Sequence, residues 1–268
     1  MRRTRLATLA ASLVTTLAAT LTLATAPAHA APGDHYVALG DSYSSGVGAG
    51  SYTSESGSCQ RSTVAYPALY AANVRPASYR SVACSGATTT SVINSQLSAL
   101  SATTTLVSIS VGGNDVGFAS IMTTCVLYGT TECVAAVQAA EDKARTNLPT
   151  LLRNVYTGIR NRAPSARVVV VGYPVFYQLN TVCVGLSDTS RAKINEGINL
   201  VDDITRSAAQ AAGFTFADVR SQFVGHQLCS YGEKWLHALN ITNLGVSYHP
   251  TAAGQSAGYY PVFRNVAG

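Results

Sequence analysis

After its first thirty residues this sequence contains no cluster of lysine or arginine. Proteins that bind nucleic acid need such a basic patch, so we expect no nucleic-acid partner. The sequence also lacks any C-x-x-C pair, and we therefore expect no metal site built on its cysteines. No linker rich in proline, serine or glycine and no internal repeat interrupts residues 31–268. A chain of this length buries enough surface to fold alone, so we predict a single domain.

Acidic residues are absent from residues 1–30, which carry Arg2, Arg3 and Arg5 ahead of a Leu/Ala/Val/Thr run and end in Ala28-His29-Ala30. This order predicts a secretory signal peptide that is cleaved within about two residues of Ala30. The small residues at the cleavage site and the interruption at Pro27 argue against the alternative, a membrane anchor. Cleavage removes three arginines and no acid, so the formal net charge falls from +5 to +2. We expect a secreted, extracellular protein with no remaining transmembrane segment.

All six cysteines lie in the predicted exported part of the chain. An even number of cysteines in an oxidising compartment predicts three disulfides. Six cysteines allow 15 connectivities, and the sequence does not choose among them rigorously. Proximity along the chain favours Cys59 with Cys84, Cys125 with Cys133, and Cys183 with Cys229.

Short apolar runs alternate with longer segments of helical character along residues 31–268. Several of these runs are apolar throughout, as in strands of a sheet that is covered on both faces. The runs are HYVALG (35–40), RSVACS (80–85), TLVSISVGG (105–113), ARVVVVGYP (166–174) and FTFADV (214–219), and the helix candidates lie at 63–74, 91–100, 133–162, 188–210 and 251–262. The alternation predicts a three-layer α/β fold with a doubly wound, mostly parallel five-stranded sheet.

Three polar, glycine-bearing stretches follow the first three predicted strands: GDSYSSG (40–46), CSGATT (84–89) and GGND (112–115). Catalytic groups of open α/β sheets gather on loops at the carboxyl ends of the strands. We therefore expect these three stretches to converge on one rim of the sheet.

The stretch GDSYSSG contains three serines, and it does not match the G-x-S-x-G elbow of many serine hydrolases because Ser44 stands where the second glycine would be. Ser42 lies at the junction between strand and loop, so its hydroxyl is the candidate nucleophile. Ser44 and Ser45 lie further into the loop and are typical of turn or cap residues.

An ester hydrolase also needs donors that stabilise the developing oxyanion. The backbone N–H of Ser42 is one candidate, and Gly86 brings a second N–H near without a side chain in the way. The side-chain amide of Asn114 is the third candidate. In isolation Asn114 is equally typical of a turn, but the coincidence of three loops favours a functional role.

Four histidines lie beyond residue 30, and one of them is expected to be the general base. His35 begins the first strand, at the wrong end of the sheet to meet Ser42. His226 and His237 have no telling neighbours and are typical of surface or structural histidines. His249 precedes Pro250, which favours an extended loop at a helix entrance and makes it the best placed of the four.

These residues together carry a family resemblance. The sequence resembles SGNH hydrolases of the GDSL lipase and esterase group, through Ser42 in GDSY, Gly86 in CSGATT, Asn114 in GGND and His249 in YHPTAAG. With its six cysteines, the exported part also resembles secreted bacterial lipases and phospholipases A1 of this group. The resemblance implies a flavodoxin-like sheet, a serine nucleophile, a histidine base, and neither a metal nor an organic cofactor.

Two positions depart from the family pattern. Tyr43 replaces the leucine of GDSL, and Val246 stands where relatives usually carry an aspartate three residues before the histidine. Fixing the imidazole tautomer requires only an acceptor for the Nδ1 proton, and the backbone carbonyl of Ser247 could supply one. We therefore predict a dyad of Ser42 and His249 oriented by the Ser247 carbonyl. The rival hypothesis is a triad acid from elsewhere, Asp218 first and Asp115 second.

The resemblance implies hydrolysis of lipid esters through an acyl-enzyme, most specifically that of a phospholipase A1 with lipase and esterase activity. The alternatives are a triacylglycerol lipase or general short-chain esterase, then a carbohydrate deacetylase, because one fold hosts several chemistries. A non-enzymatic alternative is a secreted, disulfide-bonded binding domain. We expect a monomer that acts on aggregated lipid or a membrane surface.

Overall fold

The computed structural model describes residues 33–268. The predicted signal peptide, residues 1–30, and its cleavage site lie outside the described residues. Within residues 33–268, no helix combines the length and apolar character needed to cross a membrane.

The sheet has five strands, and all neighbouring pairs are parallel. Its strands are β1 (His35–Gly40), β2 (Ser78–Ser81), β3 (Leu106–Ser110), β4 (Arg167–Val171) and β5 (Thr215–Ala217). The spatial order β2-β1-β3-β4-β5 places β3 at the centre of the sheet, between β1 and β4. This arrangement confirms the predicted doubly wound sheet.

The central strands are buried because both faces of the sheet are covered. Every residue of β3 is buried, and so are the four valines Val168–Val171 of β4. The two serines of β3 are hydrogen-bonded, Ser108 to the Tyr36 hydroxyl and Ser110 to the Ser44 hydroxyl. The valines of β4 do not alternate with polar residues, since neither face of that strand meets water.

The second strand ends earlier than its apolar pattern predicts. The run 80–85 was expected to be a strand, but β2 covers only Ser78–Ser81. Beyond it the chain keeps bonds from Val82 N to the Ala38 carbonyl and from Cys84 N to the Gly40 carbonyl. Cys84 is then paired with Cys59, which draws the chain toward the loop that follows β1.

Helices cover both faces of the sheet. They are α1 (Ser42–Ser45), α2 (Tyr66–Val74), α3 (Thr89–Ser91), α4 (Gly113–Val116), α5 (Phe118–Tyr128), α6 (Thr130–Arg162), α7 (Asp188–Ala211) and α8 (Tyr260–Ala267). A π-helical turn (Val92–Gln96) and a 3₁₀ turn (Leu97–Ala99) extend α3, and a second π-helical turn (Gly254–Tyr259) precedes α8. Helices α2 and α8 pack together, as do α6 and α7.

Helix α5 has no counterpart among the predicted helices. Its sequence FASIMTTCVLY is rich in threonine and β-branched residues, which have weak intrinsic helix propensity. Met122 and Cys125 are nevertheless buried, and α5 packs against α6. Tertiary packing stabilises a helix here that local propensity does not predict.

The structure brings the six cysteines together in three pairs within disulfide-bonding distance. The pairs are Cys59 with Cys84, Cys125 with Cys133, and Cys183 with Cys229, and no cysteine is left free. The second pair joins α5 to α6, and the third joins the loop after β4 to the irregular segment after β5.

Candidate active site

Ser42 is the first residue of α1, immediately after the turn that ends β1. The turn requires glycine at position 40, where φ is +119° and an added Cβ would lie 2.4 Å from the Ser110 carbonyl oxygen. Asp41 caps the helix, because its Oδ1 accepts a hydrogen bond from the Tyr43 N–H at 3.0 Å. The local sequence thus projects the Ser42 side chain from the carboxyl edge of the sheet.

His249 contacts Ser42 directly. The His249 Nε2 lies 2.8 Å from the Ser42 Oγ, and the His249 Nδ1 lies 3.1 Å from the backbone carbonyl oxygen of Ser247. A carbonyl can only accept, so Nδ1 carries the proton and Nε2 is the acceptor for the serine hydroxyl. This is the tautomer that a general base requires.

Burial keeps the imidazole of His249 neutral. Desolvation lowers the pKa of His249 to about 4, while the bond to the Ser247 carbonyl acts in the opposite direction and nearby His237 lowers the pKa further. At neutral pH the ring is therefore unprotonated and ready to accept a proton.

The three predicted oxyanion donors line the same cavity as Ser42 and His249. The Asn114 Nδ2 donates one of its two hydrogens to the Ala87 carbonyl at 3.0 Å, which orients the amide and leaves its other hydrogen available. Gly86 adopts φ +76°, and a Cβ added there would meet no atom within 4 Å. The positive φ at this position is a conformation that glycine adopts readily, which gives a conformational reason for glycine here.

Asp115 and Asp218, the two rival candidates for a triad acid, are bonded elsewhere. Asp115 accepts hydrogen bonds from the Thr89 N–H and from the Thr89 hydroxyl at 2.5 Å. Asp218 is paired with Arg206 and Arg220. Although burial raises its pKa, these arginines hold the pKa of Asp218 below the ordinary aspartate value. Among the described residues, His249 is hydrogen-bonded to neither of them.

The other serines of the GDSYSSG stretch have structural partners. The Ser44 Oγ lies 2.9 Å from the Tyr66 hydroxyl and 2.8 Å from the Ser110 hydroxyl. The Ser45 hydroxyl donates to the Ser42 carbonyl at 3.3 Å. Both side chains thus stabilise the turn that presents Ser42.

The remaining histidines lie away from the Ser42 hydroxyl. The His35 Nδ1 is 2.8 Å from the Ser78 hydroxyl, and the His226 ring stacks on Trp235 at 3.6 Å between centroids. The His237 Nε2 is 2.8 Å from the Gly48 carbonyl oxygen, and its backbone pairs with that of His249. His237 therefore supports the chain that carries His249.

A G-x-S-x-G sequence does occur elsewhere, at Gly254–Gly258, but it does not form a nucleophile elbow. It lies in the π-helical turn before α8, and the Ser256 side chain is exposed. The Ser256 hydroxyl donates to the Ala253 carbonyl at 3.4 Å. The pentapeptide by itself therefore does not identify a nucleophile.

The sequence did not point to Tyr173 or to the carboxyl of Asp41 as parts of the site. The Tyr173 hydroxyl donates to the Asp41 Oδ2 at 2.5 Å and accepts from the Gly113 N–H at 3.2 Å. Burial raises the pKa of Asp41 to about 6, and the bonds from Tyr173, Ser110 and the Tyr43 backbone oppose that rise. The sequence signal for Tyr173 was an aromatic residue two positions after the end of β4.

The cavity beside Ser42 has a volume of about 420 Å³ and extends between α5, α6 and α7. Its wall away from the dyad is mostly apolar and includes Ile121, Met122, Val126, Val137, Ile194 and Ile198. Glu141, which is paired with Lys193, also lines this wall. Among residues 33–268, no group of three or more potential metal-ligating side chains is close enough to hold an ion.

The chain is similar to known proteins in sequence and in fold. The GDSL-like Lipase/Acylhydrolase family matches residues 38–257. Lipase 1 of Streptomyces coelicolor is 53% identical over 269 residues, which cover 100% of both chains.

Two crystal structures are also similar. Phospholipase A1 from Streptomyces albidoflavus NA297 is 51% identical with a TM-score of 0.86, over 88% of this chain and 100% of that chain. The extracellular lipase from Streptomyces rimosus is 52% identical with a TM-score of 0.84, over 86% of this chain and 98% of that chain. These matches confirm the resemblance that the four motifs indicated: the chain belongs to the GDSL-like lipase/acylhydrolase family and is an ester hydrolase.

Proposed function

We propose that this protein is a secreted phospholipase A1 with lipase and esterase activity, which uses Ser42 as its nucleophile. The observation that carries the proposal is the 2.8 Å contact between Ser42 Oγ and His249 Nε2 at the edge of a largely apolar cavity. A serine hydroxyl in contact with an oriented histidine supplies the nucleophile and the general base that acyl transfer uses.

The reaction proceeds in two halves. His249 Nε2 accepts the Ser42 proton as the hydroxyl oxygen attacks the ester carbonyl, and the resulting imidazolium donates that proton to the departing alcohol. Water then attacks the acyl-enzyme and gives a proton to His249 Nε2. That proton passes to the Ser42 oxygen as its bond to the fatty acid breaks. The Ser247 carbonyl accepts a hydrogen bond from Nδ1–H throughout the reaction, and the proton stays on Nδ1.

Oxyanion stabilisation is assigned to the N–H groups of Ser42 and Gly86 and to the amide of Asn114. All three line the cavity from loops after different strands, so charge that develops on the substrate oxygen meets donors on several sides. The Ala87 carbonyl holds the Asn114 amide in place before substrate arrives, which reduces the reorganisation needed during the reaction.

The apolar wall between α5, α6 and α7 favours a lipid acyl chain over a sugar. A carbohydrate substrate would require polar partners along its length, whereas an alkyl chain gains free energy by leaving water for such a wall. This is the reason for ranking a carbohydrate deacetylase last among the alternatives.

The rim of the cavity favours lipid in an aggregate or a membrane surface. The three segments 117–131, 173–187 and 238–248 contain no charged residue. Leu127, Leu239 and Leu244 on these segments line the cavity and are 65%, 39% and 66% exposed. Exposed apolar side chains around a cavity that holds the nucleophile suit an interface with lipid.

The similar proteins support the finer assignment. One is described as a phospholipase A1 and another as an extracellular lipase, and both are about half identical to this chain over nearly all of their own length. The predicted signal peptide and the three cysteine pairs support secretion. We assign a monomer, and a triacylglycerol lipase or short-chain esterase remains the second candidate because it would use the same dyad.

The nucleophile is tested with Ser42→Ala, and the matched control is Ser256→Ala in the exposed G-x-S-x-G sequence. We expect Ser42→Ala to lower kcat by about 10⁴ or more and to abolish labelling by an organophosphonate. The control should retain both properties. Full esterase activity in Ser42→Ala would refute the assignment.

The substrate is tested by product analysis. The enzyme is offered a phospholipid with different acyl chains at the two glycerol positions, beside a triacylglycerol and an acetylated sugar. Release of the sn-1 chain is the expected result. Cleavage of the triacylglycerol alone would support the lipase alternative, and cleavage of the sugar alone would contradict the lipid assignment.

A further inference from the structure

The chain that carries His249 has little regular structure of its own. Between β5 and the π-helical turn at Gly254 it contains one 3₁₀ turn, Leu244–Val246. Its backbone is held by bonds from His237 N to the His249 carbonyl at 2.9 Å and from Tyr248 N to the His237 carbonyl at 2.8 Å. We call residues 244–250 the histidine loop.

Tyr248, next to His249, has a backbone conformation that side chains disfavour. Its φ is +67°, in the left-handed region that non-glycine residues rarely adopt. Such a conformation persists only where the surrounding contacts impose it. The contacts of Tyr248 therefore determine how the Ser247 carbonyl and the His249 imidazole are aimed.

The partner of His249 Nδ1 is a backbone carbonyl, which cannot adjust by rotating a side chain. If the peptide between Ser247 and Tyr248 turns, the acceptor for Nδ1 turns with it. Placement of the imidazole relative to Ser42 thus depends on whatever fixes the backbone of the histidine loop.

Tyr43 makes a contact that fixes this backbone from the nucleophile side. Its hydroxyl donates to the Tyr248 carbonyl at 2.8 Å, and the bond is buried. Its ring centroid lies 5.2 Å from that of the His249 imidazole, and its edge packs against Tyr173 at 5.0 Å. Because Tyr43 follows Ser42 directly in sequence, its hydrogen bond connects the residue next to the nucleophile to the segment that carries the base.

Other contacts hold the histidine loop but at different points. The Ser247 hydroxyl accepts from the Asn240 N–H at 2.9 Å, within the same irregular segment. The Tyr248 ring stacks on Phe176 at 5.8 Å, and His237 reaches the Gly48 carbonyl. None of these contacts joins the loop to α1, whereas the Tyr43 hydroxyl does.

We propose that Tyr43 is a positioning residue, whose hydroxyl locks the histidine loop to the nucleophile turn and so aligns His249 with Ser42. The inference rests on the proposed Ser42–His249 dyad. A leucine at this position, as in the GDSL pattern, could fill the space beside the imidazole but could not donate to the Tyr248 carbonyl. Position 246 holds valine and not an aspartate that could orient His249. Tyr43 therefore supplies part of the alignment of His249 with Ser42.

The test is Tyr43→Phe, which removes only the hydroxyl. The control is Tyr70→Phe, because the Tyr70 hydroxyl also donates to a main-chain oxygen, that of the last residue Gly268 at 2.8 Å, in a part-buried bond outside the site. Each variant loses one hydrogen bond from a phenol to a main-chain oxygen, and thermal denaturation measures the stability that each loss costs. Titration with an organophosphonate counts the competent sites in each preparation, so kcat refers to folded enzyme only.

We expect Tyr43→Phe to lower kcat about 10-fold or more with KM changed by less than about twofold, because misalignment affects the transition state rather than ground-state binding. The rate of organophosphonate inactivation should fall in parallel, and Tyr70→Phe should leave both rates unchanged. A kcat for Tyr43→Phe equal to that of Tyr70→Phe overturns the inference, and so does a rise in KM alone, which would make Tyr43 a substrate contact. Activity in Ser42→Ala would instead overturn the proposed dyad itself.

Discussion

Ser42 and His249 meet in one site, but the protein holds them by different means. On the nucleophile side, side chains bind the turn from several directions: Gln96 bonds both the N–H and the carbonyl of Gly40, at 2.7 and 2.9 Å. Ser110 donates to the Asp41 carboxylate at 2.7 Å. On the histidine side, most contacts near His249 are backbone to backbone, in an irregular segment. Ser42 lies on a turn that directly continues a strand of the sheet. His249 lies on an irregular segment that packs against that turn.

The difference shows where the catalytic geometry is sensitive. A turn fixed by several buried side chains keeps its position when one bond is lost, because the others remain. A loop fixed by few side chains depends more on each of them and on its covalent attachments. We therefore expect changes on the histidine side to affect stability and alignment there first.

The largest stability effect is expected from the cysteine pair that attaches the histidine side. Cys183 and Cys229 are separated by 46 residues, whereas Cys125 and Cys133 are separated by 8. Loop-closure entropy predicts that replacing the first pair with alanines costs about 4 kcal/mol of unfolding free energy, against about 2.5 kcal/mol for the second. Chemical denaturation measures both values. Equal losses would contradict the expectation that the longer crosslink stabilises the protein more.

The largest catalytic effect in this comparison is expected on the nucleophile side, at Asn114. Asn114→Ala removes an oxyanion donor and should cost about 3 to 4 kcal/mol of transition-state stabilisation, seen in kcat rather than KM. Asn73→Ala is the control, because its amide also donates to a backbone carbonyl, that of Leu69 at 2.8 Å, on the surface. An unchanged kcat in Asn114→Ala would remove this side chain from the oxyanion hole.

The pH profile distinguishes the two sides by their titrating groups. His249 must be neutral to act as base, and since burial lowers its pKa to about 4, the fall in kcat/KM that protonation of His249 causes should appear only as the pH drops toward 4. Asp41 on the nucleophile side has a pKa of about 6. A fall near pH 6 that disappears in Asp41→Asn would assign the limb to Asp41, and a fall near the ordinary histidine value in both enzymes would contradict the desolvated His249.

The smallest effect is expected at Asp218, the first rival for orienting His249. Asp218→Asn breaks partly exposed ion pairs with Arg206 and Arg220, which should cost about 1 kcal/mol of stability and leave kcat within about threefold. Asp115→Asn serves as the parallel test of the second rival. A loss of about a thousandfold at either position, with folding intact, would refute the dyad.

Local sequence patterns predicted the sheet because runs such as Val168–Val171 are apolar throughout, as burial on both faces of a strand requires. They failed where long-range packing decides the local structure. Helix α5 forms against α6 despite weak propensity, and β2 ends early where Cys84 turns toward Cys59. In each case the deciding partner lies outside the segment itself, so no local window contains the information.

The residues of the candidate site likewise divide into those that local sequence predicted and those that it did not. Ser42, Gly86, Asn114 and His249 were recognisable because each occupies a short motif at a strand or helix end. Tyr173 was not, since its role depends on the Asp41 carboxylate 132 residues away. The failure of GDSYSSG to match G-x-S-x-G was informative, whereas the match at Gly254–Gly258 was misleading without its helical context.

The sequence by itself determined the alternation of strands and helices, the family, and the four motif residues, because these depend on local composition and short spacing. For the group that orients His249 the sequence left two hypotheses, the Ser247 carbonyl and an aspartate from elsewhere, and only the tertiary structure shows that Nδ1 contacts the carbonyl. A backbone carbonyl such as that of Ser247 has no sequence signature, since every residue carries one. The bond from the Tyr43 hydroxyl to the Tyr248 carbonyl joins positions 205 residues apart, and only folding brings them together.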